Sequence, residues 1–352
     1  MTHHDPTAYV ANLAHFKDEL LQVENSPYSI GVKILCLIEF NMRFEREIAF
    51  ERNLKEHPYV LLNDLIEVTR SHFSSLMSCS FLEDQEPFSK TGFSQTLEEK
   101  HHQLWQEIWP RHSKEEYDKF VELKKERFEF NELQSIVKGA DCVEFGCGNG
   151  AILCSLLQLG AKSITGIDWG ENSVAYARKE VQRFSKGEPI HIDVANVLSS
   201  GLDSNRYDFG VSNGVFHHLS KNHIIPALKE VNRVLRPGGL FWFYTDGNAL
   251  SSELWDMTVE VMEGVSPTQI EQVLKLLNIS REKTVHLMDA MKATYVHASL
   301  EEVKTWLEQS GFEFIRRMKG GGEFDQDSDS QTAPYQREKF RDGDIRVLAR
   351  KI

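Results

Sequence analysis

The stretch VEFGCGNG, Val143 to Gly150, is a short apolar run that breaks into three glycines at alternate positions. Such a loop lets the main chain approach a small ligand with no side chain intervening. Extended by Ala151, it satisfies the glycine spacing of dinucleotide-binding turns, which allow alanine last. Asp168 closes the next apolar run, where an acid can hold a pair of ribose hydroxyls. Loop and acid together point to an adenosine-type cofactor and leave open which one. A tight turn with no ligand is the bland alternative. A P-loop is excluded, because no Gly-Lys-Ser/Thr follows.

Outward from this loop the chain alternates apolar runs with helical stretches. Runs near 141–146, 162–168, 189–194, 207–213 and 239–246 are expected as strands, and 149–159, 171–185 and 221–235 as helices. This alternation implies right-handed crossovers and a parallel, doubly wound α/β sheet. After Asp246 it is interrupted by about three short helices, one opened by Ser266 and Pro267. Ser299 and Glu302 form a capping box for a further helix. FEFIRRMK and DIRVLARK close the chain as strands, separated by an acidic, turn-rich loop.

Before the loop, residues 1–130 read as helical throughout, with Ile30, Ile34, Leu35, Ile38 and Met42 near helical spacing and Ser113 as an N-cap. The predicted division is therefore 1–130, a helical region covering cofactor or substrate, and 131–352, a cofactor-binding domain. Within the latter, 248–296 is expected as a helical lid insert.

The 352 residues are 41% hydrophobic and 26% charged, with a net charge of −13. That balance disfavours a phosphate backbone as partner, since no basic stripe offsets it. Five cysteines, an odd number with no CxxC, read as reduced thiols in a cytoplasmic protein. No window is long and apolar enough to span a bilayer, and MTHHDPTAYV lacks a signal-peptide pattern.

The ensemble VEFGCGNG, ITGIDWGENSVAYAR, HIDVANV, YDFGVSNGVFHHL and EVNRVLRPGGLFWFYTDG closely resembles the class I S-adenosylmethionine-dependent methyltransferases, of the small-molecule type. The resemblance covers about 139–247 strongly and the closing helix and strands weakly. It implies a Rossmann-like seven-stranded sheet of order 3-2-1-4-5-7-6 with strand 7 antiparallel. It also implies S-adenosylmethionine as cofactor and S-adenosylhomocysteine as product. Carried over by position, Glu144, Gly146, Cys147 and Gly148 line the methionine half, Asp168 holds the ribose, and Trp169 packs on adenine. Asn196 and Val197 stand at the adenine edge, where the family often has aspartate; Asp193 is the alternative. Asn213 and Gly214 flank the transferred methyl.

Methyl transfer needs a nucleophile held in line and, for a hydroxyl or ammonium, a base. His217 and His218, after the fourth strand, are the catalytic candidates, although His218 reads first as a packing residue at a helix start. No metal is predicted, because adjacent histidines lack ligand spacing on one helix face. Trp255, Tyr295 and His297 are substrate-binding candidates, and Asp289 is a further one. Trp105, Trp109, Tyr117 and Phe120 could cover the cofactor, and all these aromatics read first as core. His101 and His102 read as solvent-facing.

The expected activity is methylation of an O or N atom of a small metabolite, in specialised biosynthesis. The alternatives are a nicotinamide-dependent oxidoreductase, a non-catalytic cofactor-binding partner and an RNA methyltransferase. No nucleic acid or membrane partner is expected; a homodimer through the N-terminal helices is.

Overall fold

The computed structural model describes residues 6–79, 113–280, 283–284, 287–288, 291, 293, 295–320 and 334–352. Expectations placed on Trp105, Trp109, His101, His102, Asp289 and most of the acidic loop before residue 334 lie outside the described residues. The chain divides into two compact units. One gathers residues 1–94, 249–293 and 328–341; the other gathers 95–248, 294–327 and 342–352. The expectation divided the chain at residue 130 instead, with a lid insert at 248–296. The insert after the fifth strand clusters with the N-terminal helices and was expected to belong with the sheet.

The helical unit contains α1 (Pro6–Gln22), α2 (Pro27–Phe44), which runs on into a π-turn at Glu45–Ala49, and α3 (Pro58–Met77). Ser26 opens α2 with a capping box, and Pro27 occupies the first helical turn. Apolar spacing buries Phe16 and Leu20 of α1, Ile34, Leu37 and Phe40 of α2, and Leu62 and Ile66 of α3.

The sheet unit begins with α4 (Lys114–Phe130), started by a reciprocal capping box between Ser113 and Glu116. Its inner stripe of Tyr117, Val121 and Phe128 is buried. A single turn, α5 (Gln134–Val137), leads into β1 (Asp141–Phe145). Then follow α6 (Ala151–Gln158), β2 (Ser163–Asp168), α7 (Glu171–Gln182), β3 (Ile190–Val194) and β4 (Tyr207–Asn213). A 3-10 turn at Phe216–His218 precedes α8 (Lys221–Val234) and β5 (Leu235–Thr245).

After β5 the chain enters the helical unit as α9 (Leu250–Val261) and α10 (Pro267–Leu276). It returns as α11 (Leu300–Gln309) and β6 (Phe312–Arg317), contributes α12 (Gln336–Phe340) to the helical unit, and ends with β7 (Ile345–Lys351). The caps expected at Ser266 and Ser299 are both present as capping boxes.

The sheet has the order β3-β2-β1-β4-β5-β7-β6. β1 to β5 are parallel, and β7 runs antiparallel to both β5 and β6. The order expected from the resemblance is the order observed. One core lies between the sheet and α4, α6 and α7, with Phe128 packed on Phe209 and Trp242. The other lies beneath α8 and α11, around Phe216, Phe241 and Phe243. β5 starts at Leu235, four residues earlier than expected at 239. Leu235 pairs with Tyr207 across a register shift, and the Pro237-Gly238-Gly239 bend lies within the strand.

Among the described residues no helix is long and apolar enough to cross a membrane. No group of three or more His, Cys, Asp or Glu among them is arranged to hold a metal ion.

Candidate functional site

Ligands of open parallel sheets sit beyond the carboxyl ends of the strands. At that edge β1 runs into the glycine loop. Gly146, Gly148 and Gly150 adopt φ of +73°, +50° and +79°, a region where side chains are strained. A Cβ on Gly146 would stand 2.4 Å from Cγ2 of Val215. The amides of Gly146 and Cys147 both donate to the Ile167 carbonyl, tying the loop to β2.

Asp168 completes the loop. One carboxylate oxygen accepts from the Gly148 amide at 2.8 Å, and the other from the Gly170 amide at 2.8 Å. The acid therefore shapes the turn. Beside it Trp169, just past the end of β2, is 41% exposed. Cys147 is buried beneath the loop, its sulfur in the space a Cβ on Gly166 would need.

Two buried polar groups under the loop carry atoms without a partner among the described residues. Glu144 is 3% exposed and its Oε2 accepts nothing; Asn149 is 5% exposed and its Nδ2 donates to nothing. An unsatisfied buried group costs about 1–3 kcal/mol, more when charged. Burial pushes the Glu144 carboxyl well above the usual range, with Lys124 pulling the other way. Oδ1 of Asn149 is used by the Ala151 amide, and its carbonyl accepts the Tyr117 hydroxyl. Tyr117, considered as a cofactor cover, is thus a core residue that steadies the loop.

After β3, Asn196 uses its Oδ1 to accept from the Leu198 amide, and Val197 is buried against the second core. Asp193, the alternative, pairs with Arg178 and is exposed.

At the ends of β4 and β5 a second cluster forms. Asn213 is half-buried, and Gly214 turns with φ +76°. A Cβ there would meet Cε1 of Tyr244 at 3.5 Å and Cε1 of His217 at 3.9 Å. Tyr244 donates its hydroxyl to Asp246 Oδ1 at 3.0 Å. The Asp246 amide donates to His217 Nδ1 at 2.9 Å. Because an amide only donates, neutral His217 carries its proton on Nε2. That nitrogen lies 3.1 Å from Nε2 of His218, which must accept and hold its own proton on Nδ1. Both ring nitrogens of His217 are therefore engaged.

The returning segment completes the cluster. The Val296 amide donates to the His217 carbonyl, and the Ala298 amide to that of Asp246. Tyr295 lies 5.0 Å from His217, 4.8 Å from His218 and 5.7 Å from His297, between ring centroids. His297 Nδ1 is 3.9 Å from Asp246 Oδ2. The structure thus brings His217, His218, Tyr295 and His297 together as candidates, around Asp246 and Tyr244, which no sequence motif marks. Trp255 lies on α9 in the helical unit. The signal for Tyr244 and Asp246 was their i, i+2 spacing at a strand end, which puts both on one face.

Residues 143–243 match the family described as "Methyltransferase domain". Among curated proteins, the chain is 26% identical over 148 residues to demethylmenaquinone methyltransferase of Bacillus licheniformis, covering 41% of this chain and 62% of that protein. It is 25% identical over 185 residues to demethylmenaquinone methyltransferase of Staphylococcus aureus strain JH9, covering 51% and 70%. A solved structure, magnesium protoporphyrin IX methyltransferase from Synechocystis PCC 6803 with bound S-adenosylhomocysteine, aligns at 14% identity and a TM-score of 0.41. That alignment covers 81% of this chain and 99% of the other.

Proposed function

We propose, from the membership of residues 143–243 in the class I S-adenosylmethionine-dependent methyltransferase family, that this chain transfers a methyl group to a small metabolite. The methyl donor of this family is S-adenosylmethionine. The sheet order, with β7 antiparallel between β5 and β6, supports this reading over the nicotinamide alternative.

The residues present fit that donor by their chemistry. The orphaned Glu144 oxygen suits an ammonium, the Asp168 carboxylate at the strand end suits ribose hydroxyls, and the partly exposed Trp169 suits a base face. When bound, the donor supplies an activated methyl on a sulfonium. Everything else falls to the chain: to align the acceptor, exclude water and take a proton where one is released.

The observation that carries the reading is the buried polar and aromatic cluster standing beside Gly214. We assign His217 as a positioning residue, because its two nitrogens are engaged. Asp246 can receive a proton without breaking the histidine pair, so it is the base we favour for an O or N acceptor, with His218 second. Tyr295 and His297 form a wall against which a small planar acceptor could lie. The charge of −13 supports a metabolite acceptor over RNA.

The matched segment spans under two thirds of the Bacillus licheniformis protein, and we infer no particular acceptor from that protein's name. A cytoplasmic location is supported by five free thiols. A homodimer is supported by Leu35 and Met42 on α2, left exposed, and sedimentation would test it.

The decisive experiment is calorimetry with S-adenosylhomocysteine and NAD, then transfer of labelled methyl to metabolite fractions. The proposal expects binding of the first and labelling of a small molecule. NAD binding without S-adenosylhomocysteine binding would sink it. Cofactor binding with no label transferred to any fraction would point to a non-catalytic partner, and label in RNA to a nucleic acid acceptor.

A further inference from the structure

The strand register sets one polar row on the α4 face of the sheet. Glu144 pairs with Val211, Val211 with Trp242, and Trp242 with Leu348; the last three share the core with Phe128 of α4. Side chains alternate along a strand, so residues two steps on share that face. Asn213, Tyr244 and Arg346, mutually paired, therefore stand on the same face as Glu144, nearer the strand ends.

Lys124 belongs to the helix above this row. The positions 117, 121, 124 and 128 run down one face of α4, and Tyr117, Val121 and Phe128 are buried there. Lys124 takes the place of a core residue, half-buried, with its ammonium 4.6 Å from the Phe120 ring centroid. No ion pair joins it to any acid among the described residues within 4.0 Å. Its charged surroundings are Arg127 on its own helix, Glu144 from β1 and Arg346 from β7; α6, also packed on α4, carries no charged residue. Tyr244, under the Arg346 guanidinium, is the titratable group from β5.

Lys124 is thus the cation that acts on Glu144, and Asp168 of β2 is the second acid acting on it, in a protein of net charge −13. Glu144 has an oxygen without a partner, and the loop beside it has an amide nitrogen without one, at Asn149. An α-amino-acid end is the complementary ligand. Its ammonium satisfies Glu144, and its carboxylate needs donors.

We infer that Lys124 binds the carboxylate of the methyl donor's amino-acid end, with Asn149 Nδ2 as a second donor, opposite an ammonium held by Glu144. This rests on the donor proposed above. Burial and the two guanidinium groups push the Lys124 ammonium down to about 7 in the free protein. A bound carboxylate favours the charged form, so the lysine takes up a proton on binding. Glu144 shifts the opposite way, so the informative quantity is the difference between wild type and a Lys124 variant.

Calorimetry in two buffers of different ionisation heat, at about pH 8, reads that difference. Lys124→Met should bind S-adenosylhomocysteine ~10- to 100-fold more weakly. It should bind the decarboxylated analogue as wild type does, which also shows that it is folded. Its proton uptake on binding S-adenosylhomocysteine should fall short of wild type by most of one proton. Lys124→Arg, which cannot lose its charge, should keep affinity within ~5-fold and lose the same uptake. Equal weakening toward both ligands, no weakening toward either, or wild-type uptake in Lys124→Arg would each overturn the inference. Failure of wild type to bind S-adenosylhomocysteine at all would instead overturn the donor.

Discussion

Asp168 does two jobs that a single substitution separates poorly. It holds the amides of Gly148 and Gly170, and it is the residue we propose for the ribose. Asp168→Ala is expected to weaken S-adenosylhomocysteine binding by at least ~1.5–3 kcal/mol, a charge-assisted hydrogen bond's contribution. Calorimetry on the folded variant checks this, and unchanged affinity would place the ribose elsewhere. Gly146 is bounded by sterics. Gly146→Ala should cost roughly 1–3 kcal/mol of stability, from positive φ and the Val215 contact. Adding Val215→Ala should recover the steric part only, so a double-mutant cycle in chemical denaturation would show coupling. For the histidines, His217→Asn keeps an acceptor facing the Asp246 amide, whereas His217→Phe removes it. The expected result is that Asn retains more turnover than Phe, with the pH profile shape kept. Loss of the acidic limb in both would return the base role to His217.

At this scale the sequence was informative where the signal is local. Glycines, Asp168 and Trp169 lie within one loop and the end of the next strand. Asp246 was not legible, because its partners come from 29 residues upstream and from the returning segment at 295–298. Lys124 was hidden for a different reason. A lysine in a helix with many charges reads as solvated, and only the burial of its stripe mates marks it.

At the scale of elements, the helices and strands of the sheet unit were legible from apolar runs bounded by glycine. β5 was misjudged at its start, since Pro237, Gly238 and Gly239 read as a turn. They lie at the sheet's edge row, where the register shift opposite Tyr207 accommodates them. Caps were the most legible feature. Ser299→Ala should cost ~1 kcal/mol of stability, because the Glu302 amide loses its acceptor.

α8 supplies a pH prediction. Glu230 accepts from Arg233 and from the amide and hydroxyl of Ser200, which hold its carboxyl at about 2. Its folded value lies below its unfolded one, so its stabilisation is present above about pH 4.5 and fades as pH falls toward 2. Glu230→Gln should therefore lower stability at neutral pH by ~1–3 kcal/mol and flatten the acid limb of the stability curve. An unchanged acid limb would show that the pair does not fold-link its proton.

At the scale of the molecule, the division into units is what the sequence concealed. Amphipathic periodicity tells that a helix buries a face and is silent about which distant segment covers it. The helical unit is joined by groups far apart in the chain. Tyr9 donates to Glu253, Arg341 reaches the same carboxylate, and Lys339 caps the carbonyls of Ala49 and Glu51 after the π-turn. Burial pushes the Tyr9 hydroxyl far up, in keeping with a neutral donor to Glu253. A chain beginning at residue 113 should therefore expose Leu250, Leu254, Met257 and Ile270, which are buried here. Loss of soluble expression relative to the full chain is the expected outcome, and a soluble, monomeric product would refute it.

The three-segment make-up of that unit also sets a clock. The first segment leaves the ribosome long before its partners at 249–293 and 328–341 exist. At ~5–20 residues per second the wait is roughly 10–50 s, during which Phe16, Leu20, Ile34 and Phe40 have no finished core to enter. The N-terminal helices are thus the part of the newborn chain most dependent on chaperones, and slowing translation beyond residue 94 should deepen that dependence.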